Sequence, residues 1–218
     1  MKKLFLSAAM AVFSLGTFAQ SAVGSVTLQP KVGLNIACLT DEDNATSRIG
    51  FTGGAELGYQ ATKKFAITGA LMYSMQGAKS DFDEYNGTLK LDYINIPILA
   101  NVYVVKGLAL KAGIQPGFCI NKKVSVGGIS VDIDEAFKQA DTNYKINTVD
   151  FSIPIGLSYE YNGLVIDARY NLGVTKVADG YIENEGIKMR SDDRHSVFQF
   201  TLGYKFQFCL LYTSDAAD

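Results

Sequence analysis

Ser196–Phe208, SVFQFTLGYKFQF, decides the fold. Phe198, Phe200, Leu202, Tyr204, Phe206 and Phe208 occupy alternate positions, and Gln199, Thr201, Gly203, Lys205 and Gln207 lie between them. Period-2 alternation of this kind gives a strand with one aromatic-rich apolar face and one polar face. In a soluble protein the apolar face packs on a second layer, and the chain contains no amphipathic helical pattern to supply one. The other partner is lipid, with the polar face turned to a lumen, as in a strand of a transmembrane β-barrel. Aromatics near the strand ends then sit at the membrane interfaces.

Beyond Phe208 the alternation stops. Cys209–Asp218, CLLYTSDAAD, carries no turn logic, resembles the translation of a sequencing adapter, and is set aside as an adapter-derived tail. The native end is then expected at or just after Phe208. Tyr204, Phe206 and Phe208 resemble the aromatic C-terminal signal by which outer-membrane barrels are recognised for insertion. At the other end, MKKLFLSAAMAVFSLGTFAQ has a basic start at Lys2-Lys3, an apolar run from Leu4 to Phe13, and Thr17 and Ala19 at the positions of a cleavage site. Residues 1–19 therefore read as a secretory signal peptide, and residues 20–208 as the barrel.

The rest of the chain is about one domain in size. A formal net charge of −2 leaves no electrostatic footprint for nucleic acid. No further apolar run is long enough for a membrane helix. Eight alternating segments follow instead: Val26–Leu39, Ile49–Ala61, Phe65–Gln76, Leu89–Val104, Leu108–Asn121, Val149–Tyr161, Leu164–Thr175 and Ser196–Phe208. Each is long enough for a tilted strand to cross a bilayer. The expected fold is all-β, an eight-stranded antiparallel up-and-down transmembrane β-barrel.

The connections alternate in length. Thr62–Lys64, Val105-Lys106-Gly107 and Asn162-Gly163 are short, whereas Thr40–Arg48, Gly77–Thr88, Lys122–Thr148 and Lys176–His195 are long. Short turns on one side and long loops on the other are the asymmetry of outer-membrane barrels, with the short side periplasmic. Asn162-Gly163 predicts a type I′ hairpin that pairs Tyr161 with Leu164, Glu160 with Val165 and Tyr159 with Ile166. Val105-Lys106-Gly107 predicts a three-residue loop pairing Val104 with Leu108. Within Lys122–Thr148, the alternation of Val124, Val126, Ile129, Val131 and Ile133 around Gly127-Gly128 suggests strands extended above the membrane.

The signal ending in FAQ, the eight segments, INIPIL at Ile94–Leu99 and the closing GYKFQF together resemble the PorT-like outer membrane protein β-barrel family of Bacteroidota. The resemblance covers Gln20–Phe208. It implies an OmpA/OmpX-sized barrel in the outer membrane, exported through a cleaved signal peptide. It implies no shared catalytic residues.

By alternation the inward charges are Lys31, Lys111, Arg169 and Lys205 against Glu56, Asp150, Glu160 and Asp167. Their signs balance, and a narrow barrel interior is filled by side chains. Mutual pairing is expected, with Lys31 beside Glu56 and Asp167 beside Lys205, closing the lumen. Cys38 and Cys119 fall on opposite sides of the barrel and are expected to remain unpaired thiols. His195 neighbours Asp192, Asp193 and Ser196, but sequence neighbours rarely form a hydrolase triad. The acidic runs Asp41-Glu42-Asp43, Asp81-Phe82-Asp83-Glu84, Asp132-Ile133-Asp134-Glu135 and Asp192-Asp193 lack EF-hand spacing and read as solvated loop charge. No catalytic residue, metal or cofactor is assigned. The expected function is a structural or surface-interaction role, with a small porin-like pore as the alternative and a lipid-modifying enzyme behind both. Expected partners are outer-membrane lipid, the barrel-assembly machinery during insertion, and a surface partner met through the long loops.

Overall fold

The computed structural model describes residues 21–39, 45–82, 85–126, 129–132, 145–176, 178–179, 182–184, 187–189 and 194–208. The expected signal peptide (1–19) and tail (209–218) lie outside them, as do Asp41-Glu42-Asp43 and Asp192-Asp193. The described elements are all strands: β1 (Val26–Leu39), β2 (Ala45–Thr62), β3 (Phe65–Phe82), β4 (Tyr85–Asn95), β5 (Ile98–Val105), β6 (Leu108–Val126), β7 (Ile129–Asp132), β8 (Lys145–Ile146), β9 (Val149–Tyr161), β10 (Leu164–Lys176), β11 (Ala178–Asp179), β12 (Ile182–Asn184), β13 (Ile187–Met189), β14 (Arg194–Tyr204) and β15 (Phe206–Phe208).

The expectation of an eight-stranded up-and-down barrel needs correction. The main sheet has eleven strands, and its edges meet unevenly. Its path runs β14-β10-β9-β6-β4-β3-β2-β1-β15, with β5 bridging β3 and β6, β7 on β6, and β14 returning to β1. Two of the expected segments are broken, for identifiable reasons. Pro97 has no N–H to give the ladder, so the fourth segment splits into β4 and β5. The backbone bonds around it survive in part, with Ile96 N donating to Pro116 O and Ala70 N donating to Pro97 O. At Lys205 the last segment splits into β14 and β15, because its amide donates to Gly163 O in the neighbouring turn. The seam on β1 is therefore made by two strands: Lys31–Leu39 meets β14, and Val26–Leu28 meets β15.

Facing follows the alternation. Ile49, Leu57, Leu71, Ile114, Ile155, Ile166, Phe198, Phe200 and Leu202 are exposed on the outside, whereas Lys31, Glu56, Asp167 and Arg169 are buried inside. That is the reverse of a soluble protein, where an apolar patch of this extent would have to be covered. It is the facing expected of strands that meet lipid.

The Asn162-Gly163 turn has φ of 49° and 81°, as a type I′ turn requires, and pairs Tyr161 with Leu164, Glu160 with Val165 and Tyr159 with Ile166. At the other short loop the expected Val104–Leu108 pair is replaced by Val105–Leu108, with Val104 left out as a bulge. Gly77–Thr88 is not a loop for most of its length: β3 and β4 continue as a paired hairpin to Phe82 and Tyr85. Similarly β7 folds back on β6, pairing Val124 with Val131.

A sheet whose ends meet resists detergent as a unit. The purified protein is expected to migrate differently on a detergent gel before and after boiling; identical migration would show that the β1–β14 seam does not hold in solution.

Candidate functional site

The strands place one layer of charge across the interior. Lys31 on β1 donates to Glu56 on β2. Lys111 on β6 reaches the same carboxylate, 3.0 Å from Oε1 and 3.3 Å from Oε2. Lys111 also donates to Asp167 Oδ2 at 2.8 Å, and Arg169 Nε donates to Asp167 Oδ1 at 2.9 Å, both partners lying on β10. The chain Lys31–Glu56–Lys111–Asp167–Arg169 thus spans the lumen from β1 and β2 through β6 to β10, with every member buried.

Three of the eight candidate charges stand apart from this chain. Lys205 does not meet Asp167: Asp167 lies opposite Thr201, whereas the β14 residue opposite Leu164, at the turn, is Tyr204. Lys205 pairs with Glu160 instead, and its ammonium lies 3.5 Å from Tyr103 Oη and 5.9 Å from that ring's centroid. This second pair forms the floor of the lumen at the short-turn end. Asp150 lies at the opposite end of β9, where it accepts a hydrogen bond from Thr175 Oγ1 at 2.5 Å. Tyr204, Phe206 and Phe208 all project outward at the seam, with the first two rings edge-on at 5.0 Å.

Room for the long cations comes from glycine. Lys31 lies directly between Gly54 of β2 and Gly203 of β14, and Lys111 and Arg169 both face Gly156 of β9. A Cβ on Gly156 would sit 2.5 Å from Arg169 Cβ and 2.4 Å from Ala168 O. One on Gly203 would sit 2.8 Å from Lys31 Cβ.

Above the charge layer the lumen is filled by Met72, Leu91, Tyr93 and Leu99, all almost fully buried. Amide and hydroxyl pairs lie among the charges and around them, including Asn35 to Ser74 at 2.7 Å and Gln199 to Thr52 at 3.3 Å. Three further buried charges escaped the sequence reading. Arg48 donates to Gln76 O, and one more step of the β2 alternation would have found it. Asp92 accepts from Asn121 Nδ2 at 2.9 Å, and Lys122 is turned inward by the bulge between β4 and β6, which alternation cannot foresee. Cys119 is a buried free thiol. Ser196, beside His195, shares a 2.7 Å hydrogen bond with Tyr170. Among the described residues no group of three or more His, Cys, Asp or Glu could hold a metal ion.

A sheet that returns on itself, apolar outside and ionic within, defines a membrane-spanning β-protein. The model of the family described as "Outer membrane protein beta-barrel domain" matches residues 18–179. The chain belongs to that family and is an exported outer-membrane protein. No curated protein matches it. Among solved structures it is similar to Ail, the attachment invasion locus protein of Yersinia pestis, at 16% identity over 85% of this chain and 100% of that one, TM-score 0.47. It is also similar to Neisserial surface protein A (16%, 83% and 97%, TM-score 0.45) and to OprG from Pseudomonas aeruginosa (10%, 88% and 99%, TM-score 0.46). At these scores the likenesses carry nothing about function.

The chain of pairs is asymmetric, and so are the expected mutational effects. Glu56→Ala leaves Lys31 without a carboxylate and should lower stability by about 3–5 kcal/mol, the range for breaking a buried pair. Lys31→Met leaves Glu56 still held by Lys111 and should lose less than half as much. Denaturant titration in detergent compares the two. Gly156→Val should lower stability by about 1–3 kcal/mol in the same titration, as overpacking does.

Proposed function

We propose that this protein serves a structural or surface-interaction role in the outer membrane, with a closed lumen and with its long-loop side as the contact surface. The observation that supports this is the ion-pair chain Lys31–Glu56–Lys111–Asp167–Arg169 lying across the interior. Each carboxylate in it is shared by two cations, so opening a path would leave charges buried and unpaired, at several kcal/mol each. Above it Met72, Leu91 and Tyr93 occupy the space a solute would need.

The same reading makes the protein a non-enzyme. Ser196 is engaged with Tyr170, and the lumen charges are engaged with one another. INIPIL at Ile94–Leu99 and the closing GYKFQF favour a PorT-like member within the family. The terminal aromatics Tyr204, Phe206 and Phe208 then serve recognition by the barrel-assembly machinery, and outer-membrane lipid covers the apolar belt.

Planar-bilayer recording of the full chain should show little or no steady conductance. Glu56→Ala or Lys111→Ala should lose stability before either opens a channel. A stable, well-resolved wild-type channel whose ion selectivity changes in Lys111→Ala would overturn this role in favour of a small pore.

A further inference from the structure

The charge layer contains donors that no protein atom accepts. Arg169 uses Nε on Asp167, yet its Nη1 and Nη2 are both buried without a partner on a residue only 3% exposed. Gln29 Nε2 and Thr201 Oγ1 are buried and unpartnered in the same way, on residues 3% and 4% exposed. The topology brings all three to one sector. Arg169 lies on β10, and Thr201 lies on the adjoining β14, opposite Asp167 and one inward position from Arg169's own partner Gln199. Gln29 lies on β1, across the seam, and its Nε2 would be 2.9 Å from a Cβ on Gly203, the inward neighbour of Thr201 on β14.

The charges of that layer do not cancel. Lys31, Lys111 and Arg169 are three cations, and Glu56 and Asp167 are two carboxylates, which leaves one positive charge over. Glu160 does not offset it, because Glu160 is matched by Lys205. A buried charge without a counter-charge is unfavourable, and three unmet donor groups beside it add to the penalty.

We propose that a small monovalent anion, of the chemistry of chloride, binds beside Arg169 Nη1 and Nη2, with Thr201 Oγ1 and Gln29 Nε2 as further donors, and completes the ion-pair chain. The valence follows from the single surplus charge. The size follows from the packing: Arg169, Gln29 and Thr201 are almost fully buried, and the cavity of about 20 Å³ at the short-turn end is lined by Gln29 but not by Arg169 or Thr201. So little free space excludes an organic carboxylate or a phosphate. Asp167 does not compete for the guanidinium's outer edge, since its two oxygens accept from Lys111 and Arg169 Nε.

The test is thermal unfolding of the full chain in detergent at fixed ionic strength, with sodium chloride or bromide exchanged for sodium gluconate. The melting temperature should rise saturably with either halide and not with gluconate, because a ligand that binds only the folded state stabilises it by mass action. Crystals grown in bromide should show an anomalous peak within hydrogen-bond reach of Arg169 Nη1 or Nη2. Arg169→Met removes the site but also its Asp167 contact, so two milder variants accompany it. Thr201→Val should raise the halide concentration for half-maximal stabilisation by about five-fold, the loss of one neutral hydrogen bond. Lys31→Met restores neutrality without touching Arg169 and should abolish most of the halide response. Equal melting in halide and gluconate, a water in place of the bromide peak, or an undiminished response in Lys31→Met would each overturn the proposal.

Discussion

Two carboxylates hold three cations inside a sheet whose edges meet unevenly, and the remaining architecture accommodates that arrangement. Glu56 and Asp167 each accept from two cations, and Lys111 belongs to both clusters. The two Lys111 bonds run between strands that are not neighbours, β6 to β2 and β6 to β10, so they tie separate walls together rather than reinforcing a ladder. A contact of this kind forms only when the sheet has returned on itself. It also requires inward positions without side chains, and Gly54, Gly156 and Gly203 stand directly across from Lys31, Lys111 and Arg169.

The sheet meets this demand with irregularities rather than with uniform strands. Pro97 interrupts the wall between β3 and β6, yet Leu99 and Asn101 beyond it keep the inward facing of Tyr93 and Asn95 before it. The bulge leaves Ile120 of β6 unpaired and brings Lys122 to the inward face beside Leu91, while Leu91 and Tyr93 fill the lumen above the charges. Bulges re-aim side chains in this way at the cost of one unpaired residue. The break at Lys205 does the same at the seam, freeing its ammonium to bend toward Glu160 and Tyr103.

These irregularities mark where the sequence was legible and where it was not. Alternation carries facing wherever one face is apolar and the other polar, as in β1, β2, β9, β10 and β14, and there the boundaries of β1 and β9 coincide with the expected segments. Asn162-Gly163 carries register because its backbone conformation admits one pairing. Alternation is ambiguous in Leu89–Val104, where both faces are partly apolar, and it fails past Phe118, where the bulge at Ile120 turns Lys122 inward. It also fails for partners. Facing placed Lys205 and Asp167 in the lumen, but height along a tilted strand decides who meets, and Lys205 at the turn meets Glu160. The surplus positive charge could not be seen from an even count of signs, because that count was taken over all eight candidates and not within the layer.

That the interior is ionic at all has a physical use beyond closing the lumen. A buried ion pair is weak evidence for stability, since an apolar core of the same shape often does as well. In a bilayer, however, a strand apolar on both faces has no preference for which face meets lipid. Slipping the register of a strand by one residue exchanges its faces. For β1 that would turn Lys31 out, for β2 Glu56, and for β10 both Asp167 and Arg169. A basic side chain on the lipid face costs about 2–4 kcal/mol at the midplane, and an acidic one less. The charges therefore penalise each wrong register separately, strand by strand, before any pair between them has formed. Pairing then recovers the expense of burying them, and only in the register where all five come to one level. Facing is fixed by lipid and register by ion pairing, so the same five residues specify the sheet twice.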